Sequence, residues 1–245
     1  MKKIIRVLYT TYAWIINVSL WSIGYLVSLI STIGVADKEN TYNAIERKFT
    51  RISFRLLGIN LDVKGLENIP DSEPVIFVLN HQSFIDVKLS IAAIPRNFSF
   101  ISKDILFKIP VLGKYMKTSG HIGIRRSGER NAYETLNEVI KKLDGGKSII
   151  FFPEGTRSEN GELGRFKRGI SMVILKSGRK VIPTAIIGSR GYLPKSSILS
   201  NPEHRDIGFR FGKPLEFPKV ENEDRALSKD VVARVRTEVS KLLYN

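Results

Sequence analysis

The sequence predicts an α/β protein in which a mainly parallel or mixed central sheet is flanked by helices and preceded by an N-terminal membrane-associated helical pair. Three observations favour this class. Residues 7–36 contain no charged side chain, residues 37–57 repeat apolar side chains at helical spacing, and short apolar runs alternate with helical patterns from about residue 60. A chain of 245 residues can bury one sizeable core. We therefore expect a membrane-anchoring segment at 1–57 and an α/β domain at 58–245.

The uncharged segment reads VLYTTYAWIINVSLWSIGYLVSLISTIGVA, from Val7 to Ala36. As a helix it would be about 45 Å long, compared with roughly 30 Å for the hydrocarbon core of a bilayer. Its tryptophans and tyrosines are residues that favour the membrane interface, and the segment is too long and too aromatic for a cleaved secretory signal. Membrane association is therefore predicted, with a buried core helix as the alternative.

The next segment, Asp37 to Leu57, has the pattern of an amphipathic helix. Apolar side chains recur on one face and arginines on another; these are Tyr42, Ile45, Phe49, Ile52 and Leu56, and Arg47, Arg51 and Arg55. Asp37 is a candidate N-cap and Gly34 a candidate break. Cations flank the uncharged segment on both sides, so a single crossing would leave one basic flank on the wrong side of the membrane. We predict a pair that enters one leaflet and returns; a tilted single span is the alternative.

The remaining chain alternates strands with helices. Runs rich in β-branched and aromatic residues predict strands at Leu61–Val63, Val75–Leu79, Phe98–Ile101, Ile122–Ile124, Ser148–Phe152, Val181–Ile187 and Ile207–Phe211. Helical spacing predicts helices at Phe84–Ile94, near Val111–Lys117, and at Ala132–Leu143, Gly169–Lys176 and Val231–Leu243. In a parallel sheet, ligands bind beyond the carboxyl ends of the strands, which makes the loops there the candidate site.

The chain is strongly basic, with 39 Lys+Arg, 24 Asp+Glu and a formal net charge of +15. This excess predicts an acidic partner, such as an anionic membrane surface, a phosphate-bearing substrate, an acidic carrier protein or nucleic acid. The lack of cysteine excludes disulfides, thiolate catalysis and cysteine-based zinc sites. His121 and His204 have no partner at ligand spacing, so no metal site is predicted, and His121 is expected to be a structural residue within an apolar run.

The segment NHQSFID, residues 80–86, follows a predicted buried strand and holds His81 five residues before Asp86. A carboxylate one turn inside the next helix can accept a hydrogen bond from one imidazole nitrogen, which fixes the tautomer and leaves the other nitrogen as a base. Ser83 and Asp86 also form an S-x-x-D capping pattern, so a purely structural Asp86 is the alternative. Ser83 lacks the G-x-S-x-G context of a nucleophile. We therefore predict that the His–Asp pair activates a hydroxyl of the substrate.

A second motif, IIFFPEGTRS, spans residues 149–158 and also follows a predicted strand. Gly155 allows the backbone to approach a ligand closely, and Thr156 and Arg157 offer a hydroxyl and a guanidinium suited to a phosphate. The segment RFKRG, residues 165–169, brings further cations to the start of a predicted helix, where anions bind readily. A tight turn with a surface arginine is the alternative.

Two more strands are predicted to deliver cations to the same edge of the sheet. Lys103 follows the strand at Phe98–Ile101, and Arg125 and Arg126 follow the strand at Ile122–Ile124. Four loops would thus bring one base, one orienting acid and several phosphate-binding cations together.

These motifs resemble those of the glycerolipid acyltransferases. NHQSFID matches the N-H-x4-D signature, FPEGTRS with FKRG matches the third sequence block, and VIPTAI around Pro183 matches the fourth. The second block is partial, because Gly120 and Arg126 are present but Gly123 replaces an aromatic residue. The blocks cover about residues 70–190 in the right order, and the sequence looks like a bacterial 1-acyl-sn-glycerol-3-phosphate acyltransferase.

The resemblance implies an enzyme that transfers a fatty acyl group from a thioester, on acyl carrier protein or coenzyme A, to the sn-2 hydroxyl of lysophosphatidic acid. The product would be phosphatidic acid. His81 would be the general base, with Asp86 orienting it. The resemblance and the cations together suggest six substrate-binding residues: Lys103, Arg126, Glu154, Gly155, Thr156 and Arg157. No metal or other cofactor is implied, and the expected location is the cytoplasmic face of the bacterial cell membrane.

Two alternatives remain open. Within the enzyme class, the acceptor could be another lysophospholipid or glycerol 3-phosphate. Outside it, the chain could be a non-enzymatic basic protein that binds a membrane or nucleic acid, but charge alone supports this hypothesis and the motifs stay unexplained. We therefore do not expect nucleic acid as a partner.

Overall fold

The computed structural model describes residues 1–124, 129–222 and 224–244 of the protein. The strands are β1 (Asn60–Lys64), β2 (Ile76–Leu79), β3 (Phe98–Lys103), β4 (Ile122–Ile124), β5 (Ser148–Phe151), β6 (Val181–Ile187) and β7 (Asp206–Phe211). The helices are α1 (Lys2–Ser31), α2 (Lys38–Leu56), α3 (Asp86–Ala93), α4 (Leu112–Thr118), α5 (Glu129–Asp144), α6 (Gly169–Ser177), α7 (Ser189–Tyr192) and α8 (Arg225–Tyr244). Two short 3-10 helices lie at Leu66–Asn68 and Asp104–Lys108. The predicted α/β class with an N-terminal helical pair is confirmed.

Within the described residues, seven strands form one sheet in the order β1-β7-β6-β2-β5-β3-β4. Every pairing is parallel except that of β6 with β7, so the sheet is mixed. The carboxyl ends of β6, β2, β5, β3 and β4 therefore lie along one edge, which we call the carboxyl edge. The loops that carry the predicted functional residues leave the sheet here.

The central strand β2 is buried on both faces. Phe77 and Leu79 belong to one apolar core, which α3 covers, and Ile76 and Val78 belong to another, which α5, α6 and α8 cover. A strand covered by helices on both faces needs apolar side chains at every position. This explains why the sequence before residue 80 is a continuous apolar run.

The N-terminal pair has the predicted cap and break. Asp37 caps α2, since its Oδ1 accepts a hydrogen bond of 3.1 Å from the Asn40 backbone N–H. Gly34 has a φ of +75°, which favours glycine where the chain turns between the helices. Gly24 of α1 faces Phe49 of α2, and a Cβ there would lie 3.1 Å from the ring. A small residue thus lets the two helices approach closely.

Two arginines on the basic face of α2, Arg47 and Arg51, bond the backbone of the α/β domain. The guanidinium of Arg51 donates to the carbonyl of Ala92 at 2.9 Å, and that of Arg47 donates to the carbonyl of Arg96 at 2.6 Å. Ala92 lies in the last turn of α3, where carbonyls lack a partner within the helix. These arginines therefore attach α2 to the α/β domain, whereas Leu56, predicted on the apolar face, is half exposed.

The outer side of α1 carries large exposed apolar side chains; these include Ile4, Leu8, Trp14, Ile15, Val18, Leu26 and Ile30. Among the helices of the described residues, α1 is the one long and apolar enough, by length and composition, to cross a membrane. Only 17% of its most apolar 18-residue window is buried, so the core covers little of it. The apolar helix is thus present, and its outer side has no covering within the described chain.

The inner side of α1 contacts distant parts of the chain. Arg6 donates to the carbonyl of Leu199 at 2.8 Å, and the Thr10 hydroxyl accepts from the backbone N–H of Ser200 at 2.9 Å. Ala13 of α1 and Phe54 of α2 join the same apolar core as Phe77. The predicted domain boundary after residue 57 stays a prediction, but apolar packing crosses it.

Candidate active site

The loop after β2 begins with Asn80, whose side chain bonds the backbone of the neighbouring strand β6. The Asn80 amide group donates to the Ile186 carbonyl at 2.9 Å and accepts from the Ile186 N–H at 2.8 Å. The Asn80 side chain therefore continues the pairing of β2 with β6 for one more position, while its main chain leaves the sheet. This fixes the point at which His81 emerges at the carboxyl edge. Asn80 is part of the N-H-x4-D motif, but the sequence pattern does not predict this contact with Ile186.

The predicted pair of His81 and Asp86 is in direct contact. His81 Nδ1 lies 2.8 Å from Asp86 Oδ2, and the same oxygen accepts the backbone N–H groups of Gln82 at 2.6 Å and Ser83 at 2.7 Å. Asp86 is fully buried, and the His81 side chain is 19% exposed. A contact between Nδ1 and a carboxylate oxygen favours the tautomer that carries its proton on Nδ1. Nε2 is then free to take a proton from a ligand.

The Ser83 hydroxyl has structural partners. It donates to the carbonyl of Leu193 at 2.6 Å and accepts from the backbone N–H of Ile85 at 3.2 Å. One half of the predicted capping box is present, since the Asp86 carboxylate bonds the Ser83 N–H. The reciprocal bond, from the Asp86 N–H to the Ser83 hydroxyl, is absent among these described residues. The Asp86 N–H instead donates to the Ser83 carbonyl at 3.4 Å, and α3 begins only at Asp86. The hydroxyl is thus committed to the backbone and fully buried.

Glu154 lies beneath His81 and holds the backbone in place. Its Oε1 accepts the His81 N–H at 2.7 Å and its Oε2 accepts the Gly164 N–H at 2.8 Å. The Ser158 N–H donates to the His81 carbonyl at 2.8 Å, so both backbone groups of His81 are bonded to one loop. Burial raises the pKa of Glu154. Both of its oxygens thus accept main-chain N–H groups, and the predicted role of Glu154 in substrate binding stays a prediction.

The turn after Glu154 presents polar groups on the same side. Gly155 has a φ of +67°, a conformation that favours glycine, and the Lys167 amine lies close to the position that a Cβ would take. Thr156 is exposed. The guanidinium of Arg157 stacks over the Phe84 ring at 3.6 Å, and its buried Nη1 has no hydrogen-bond partner among the described residues. Partial burial lowers the pKa of Arg157, while the charge of Asp86 opposes this. A buried donor without a partner suits an anionic ligand.

The other cations near the carboxyl edge differ in how the structure places them. Lys103 ends β3 at the carboxyl edge and is exposed, but no contact joins it to His81. Arg126, together with Arg125, lies outside the described residues. Lys167, from the RFKRG segment, reaches Gly155 and was not among the predicted site residues. Its position depends on packing between loops, which the sequence pattern does not reveal.

His121 is a structural residue, as predicted. It is buried, its Nδ1 accepts the Phe100 N–H at 3.3 Å, and burial lowers its pKa to about 4. Among the described residues, no group of three or more histidines, cysteines and acids is arranged to hold a metal ion.

A groove of about 340 Å³ adjoins the site. Phe84 and Ile85, which lie between His81 and Asp86 in the chain, form part of its wall, and Trp14 of α1 and Leu193 form another part. Lys88 also lines it, and burial lowers the pKa of this amine to about 8. The groove is mostly apolar and therefore suits a hydrocarbon chain.

Comparisons with known proteins agree on one family. A family model described as Acyltransferase matches residues 60–187. A chloroplastic 1-acyl-sn-glycerol-3-phosphate acyltransferase of Arabidopsis thaliana is 36% identical over 66% of this chain, but the chain spans only 45% of that relative. The enzyme of the same name from Helicobacter pylori is 31% identical over 66% of this chain and 71% of its own length.

One solved structure is similar along the whole chain. It is the crystal structure of the 1-acyl-sn-glycerophosphate acyltransferase of Thermotoga maritima, which is 29% identical and has a TM-score of 0.79. The similarity covers 99% of this chain and 98% of that one. It therefore includes the N-terminal helical pair as well as the sheet.

Proposed function

This chain belongs to the Acyltransferase family, and on that premise we propose that it is a 1-acyl-sn-glycerol-3-phosphate acyltransferase. It would transfer a fatty acyl group from a thioester to the sn-2 hydroxyl of lysophosphatidic acid and produce phosphatidic acid. The observation that carries this proposal is the contact of His81 with Asp86 at the carboxyl edge, beside the turn with Gly155, Thr156 and Arg157.

His81 would act as the general base. Its Nε2 takes the proton of the sn-2 hydroxyl as the oxygen attacks the thioester carbonyl, while Asp86 holds Nδ1–H and stabilises the imidazolium. The new ester bond forms as the carbon–sulfur bond breaks, and the imidazolium returns its proton to the leaving thiolate. No acyl-enzyme is needed, which agrees with the commitment of the Ser83 hydroxyl to the Leu193 carbonyl.

The acceptor phosphate would be bound by Arg157 with help from Thr156, Lys167 and Lys103. Arg157 supplies a bidentate guanidinium with one buried donor still unpaired among the described residues. We keep Arg126 as a candidate on the sequence alone. Glu154 would act as a positioning residue, because its carboxylate holds the His81 backbone.

The acyl donor would be carried by acyl carrier protein or coenzyme A. The groove between α1 and the His81–Asp86 segment would hold a fatty chain near the reacting hydroxyl. No metal or other cofactor is required for this transfer, because a thioester is already activated toward attack by an alkoxide.

We further propose that the protein acts on the cytoplasmic face of a bacterial cell membrane and that α1 and α2 enter one leaflet. The exposed apolar side of α1 supports this proposal. Washing membranes with high salt should not release the protein, since apolar burial persists when charges are screened. A cysteine introduced near Lys2 should not react with an impermeant reagent added outside intact cells; reaction there would favour a spanning helix.

The test of the activity is a matrix of donors and acceptors in detergent micelles. We expect thioester consumption with lysophosphatidic acid and much less with lysophospholipids that lack its terminal phosphate, because Arg157 recognises that group. Preference for glycerol 3-phosphate would instead support the acceptor alternative. A binding protein without catalytic activity would consume no thioester with any acceptor.

A further inference from the structure

Residues 104–112, which follow β3, form a loop with two unlike sides. On its inner side, Leu106, Phe107 and Leu112 pack against a buried cluster of Tyr42, Tyr115 and Met116, against which Trp21 and Tyr25 of α1 also pack. Its outer side is aliphatic and exposed: Ile105 is 60% exposed, Ile109 44% and Val111 51%. Three large aliphatic side chains exposed within seven residues form a patch rather than isolated exceptions. We call residues 104–112 the aliphatic loop.

The backbone of this loop holds one residue in a strained conformation. Val111 has a φ of 65° and a ψ of −58°, and the Leu112 N–H donates to the Pro110 carbonyl at 2.7 Å. This is a γ-turn of the rare, strained form, and a β-branched residue is seldom found in it. The turn leaves Val111 exposed while Leu112 packs inward. Gly113 keeps the turn tight, because a Cβ there would meet the Phe107 carbonyl oxygen at 2.1 Å. Strain of this kind persists where it has a use.

The charged residues near the loop are mostly positive. Between residues 95 and 124 the chain has five lysines and arginines and one acid, Asp104. That acid lies 3.6 Å from the Lys108 amine and so is already paired. Lys114 and Lys117 are exposed on the following helix. An aliphatic patch with cations around it is complementary to an anionic lipid surface.

We propose that the aliphatic loop is a second membrane contact, which inserts Ile105, Ile109 and Val111 into the headgroup region of the leaflet that holds α1. The inference rests on the proposed membrane attachment, because the loop and the α1 residues Trp21 and Tyr25 pack against the same buried cluster. The helical pair alone attaches only one end of the molecule to the leaflet, which leaves the α/β domain free to tilt about that attachment. A second contact removes this freedom. Because the loop starts at the end of β3, it holds the carboxyl edge, and with it His81, at a defined position over the leaflet.

The test uses the lack of native cysteine, so that one introduced thiol can be labelled alone. Full-length variants Ile105→Cys and Ile109→Cys carry an environment-sensitive fluorophore and are mixed with vesicles of phosphatidylglycerol and phosphatidylethanolamine that contain a lipid-borne quencher. Ile15→Cys, on the exposed side of α1, reports the attachment itself. Leu66→Cys is the matched control, because Leu66 is 44% exposed like Ile109 but follows β1 at the other end of the sheet.

We expect strong quenching at residues 15, 105 and 109 and none at residue 66. Quenching at residue 15 without quenching at 105 and 109 would overturn the second contact and leave the attachment through α1 standing. No quenching at any of the labelled positions would overturn both. The two loop positions are independent, so the test survives the loss of one variant through misfolding.

Activity provides a second measurement. The double variant Ile105→Ser, Ile109→Ser should lose about tenfold in kcat/KM with acceptor embedded in vesicles, since two aliphatic insertions are lost. It should keep its activity with a short-chain acceptor that dissolves as monomers. Equal losses with both acceptors would indicate damage to the fold and overturn the inference. Leu66→Ser should change neither.

Discussion

Two histidines of the protein, His81 and His121, are at least partly buried, and they have different surroundings. His81 contacts the carboxylate of Asp86 and its side chain is 19% exposed, whereas His121 is buried and accepts a hydrogen bond from the Phe100 N–H. An imidazole next to a carboxylate can take up a proton at low cost, because the positive charge is stabilised as it forms. The burial of His121 instead lowers its pKa to about 4. The neighbouring carboxylate, rather than the histidine itself, distinguishes the proposed active site from the structural site at His121.

The largest expected effect is a loss of activity when His81 or Asp86 is replaced. His81→Ala should lower kcat by about 10²–10⁴-fold with lysophosphatidic acid, because a positioned general base is removed. Asp86→Asn should also lose heavily, since the amide would favour the wrong tautomer. Initial rates in detergent micelles measure both. His121→Asn should retain turnover per folded molecule, and normal activity of His81→Ala would show that the proposed base is wrong.

The second effect concerns stability and belongs to His121. Its pKa is about 4 in the folded protein and near 6.5 when unfolded, so between these values the unfolded chain binds the additional proton. Stability from this group is complete above pH 6.5 and is lost as the pH falls toward 4, by roughly 3 kcal/mol. Urea unfolding at several pH values measures it. His121→Asn should flatten this part of the profile, and an unchanged slope would contradict the assignment.

The third prediction sharpens the comparison at the proposed phosphate contact. Arg157→Lys should lower kcat/KM by about 1.5–3 kcal/mol, or roughly ten- to a hundredfold, since lysine keeps the charge but loses the bidentate geometry. The loss should appear mainly in the KM of the acceptor. An acceptor without phosphate should be little affected. Equal losses with both acceptors would mean that Arg157 only supports the turn.

The smallest effect separates positioning from binding. Glu154→Gln replaces one acceptor oxygen by an NH2 group, so one of the two backbone N–H groups loses its partner, at a cost of about 1–2 kcal/mol. We expect this cost to appear as a lower kcat. The acceptor KM should be nearly unchanged, because the His81 backbone shifts while the phosphate contacts remain. Steady-state kinetics on the same acceptor pair measure the split. A rise in acceptor KM with constant kcat would instead assign Glu154 to binding.

What the sequence predicts well is local. The His81–Asp86 contact follows from a five-residue spacing at a helix start, and the strands follow from apolar runs flanked by turn residues. The bonds that complete the site join distant residues: Asn80 with Ile186, and Glu154 with both His81 and Gly164. No periodicity encodes such pairs. For the same reason the sequence predicted the amphipathic pattern of α2 but not that Arg51 reaches the end of α3.

The contacts of α1 with Leu199 and Ser200 have a consequence for biosynthesis. Thr10 and Ser200 are separated by 190 positions. At about 5–20 residues per second, a ribosome needs roughly 10–40 s to cover that distance. The apolar helix and α2, which packs against it at Gly24 and Phe49, leave the exit tunnel early in this interval, whereas Leu199 and Ser200 are added much later. Until then part of the inner side of α1 is uncovered in the nascent chain, so a bilayer or a chaperone has to shield more of this helix than the completed fold leaves exposed.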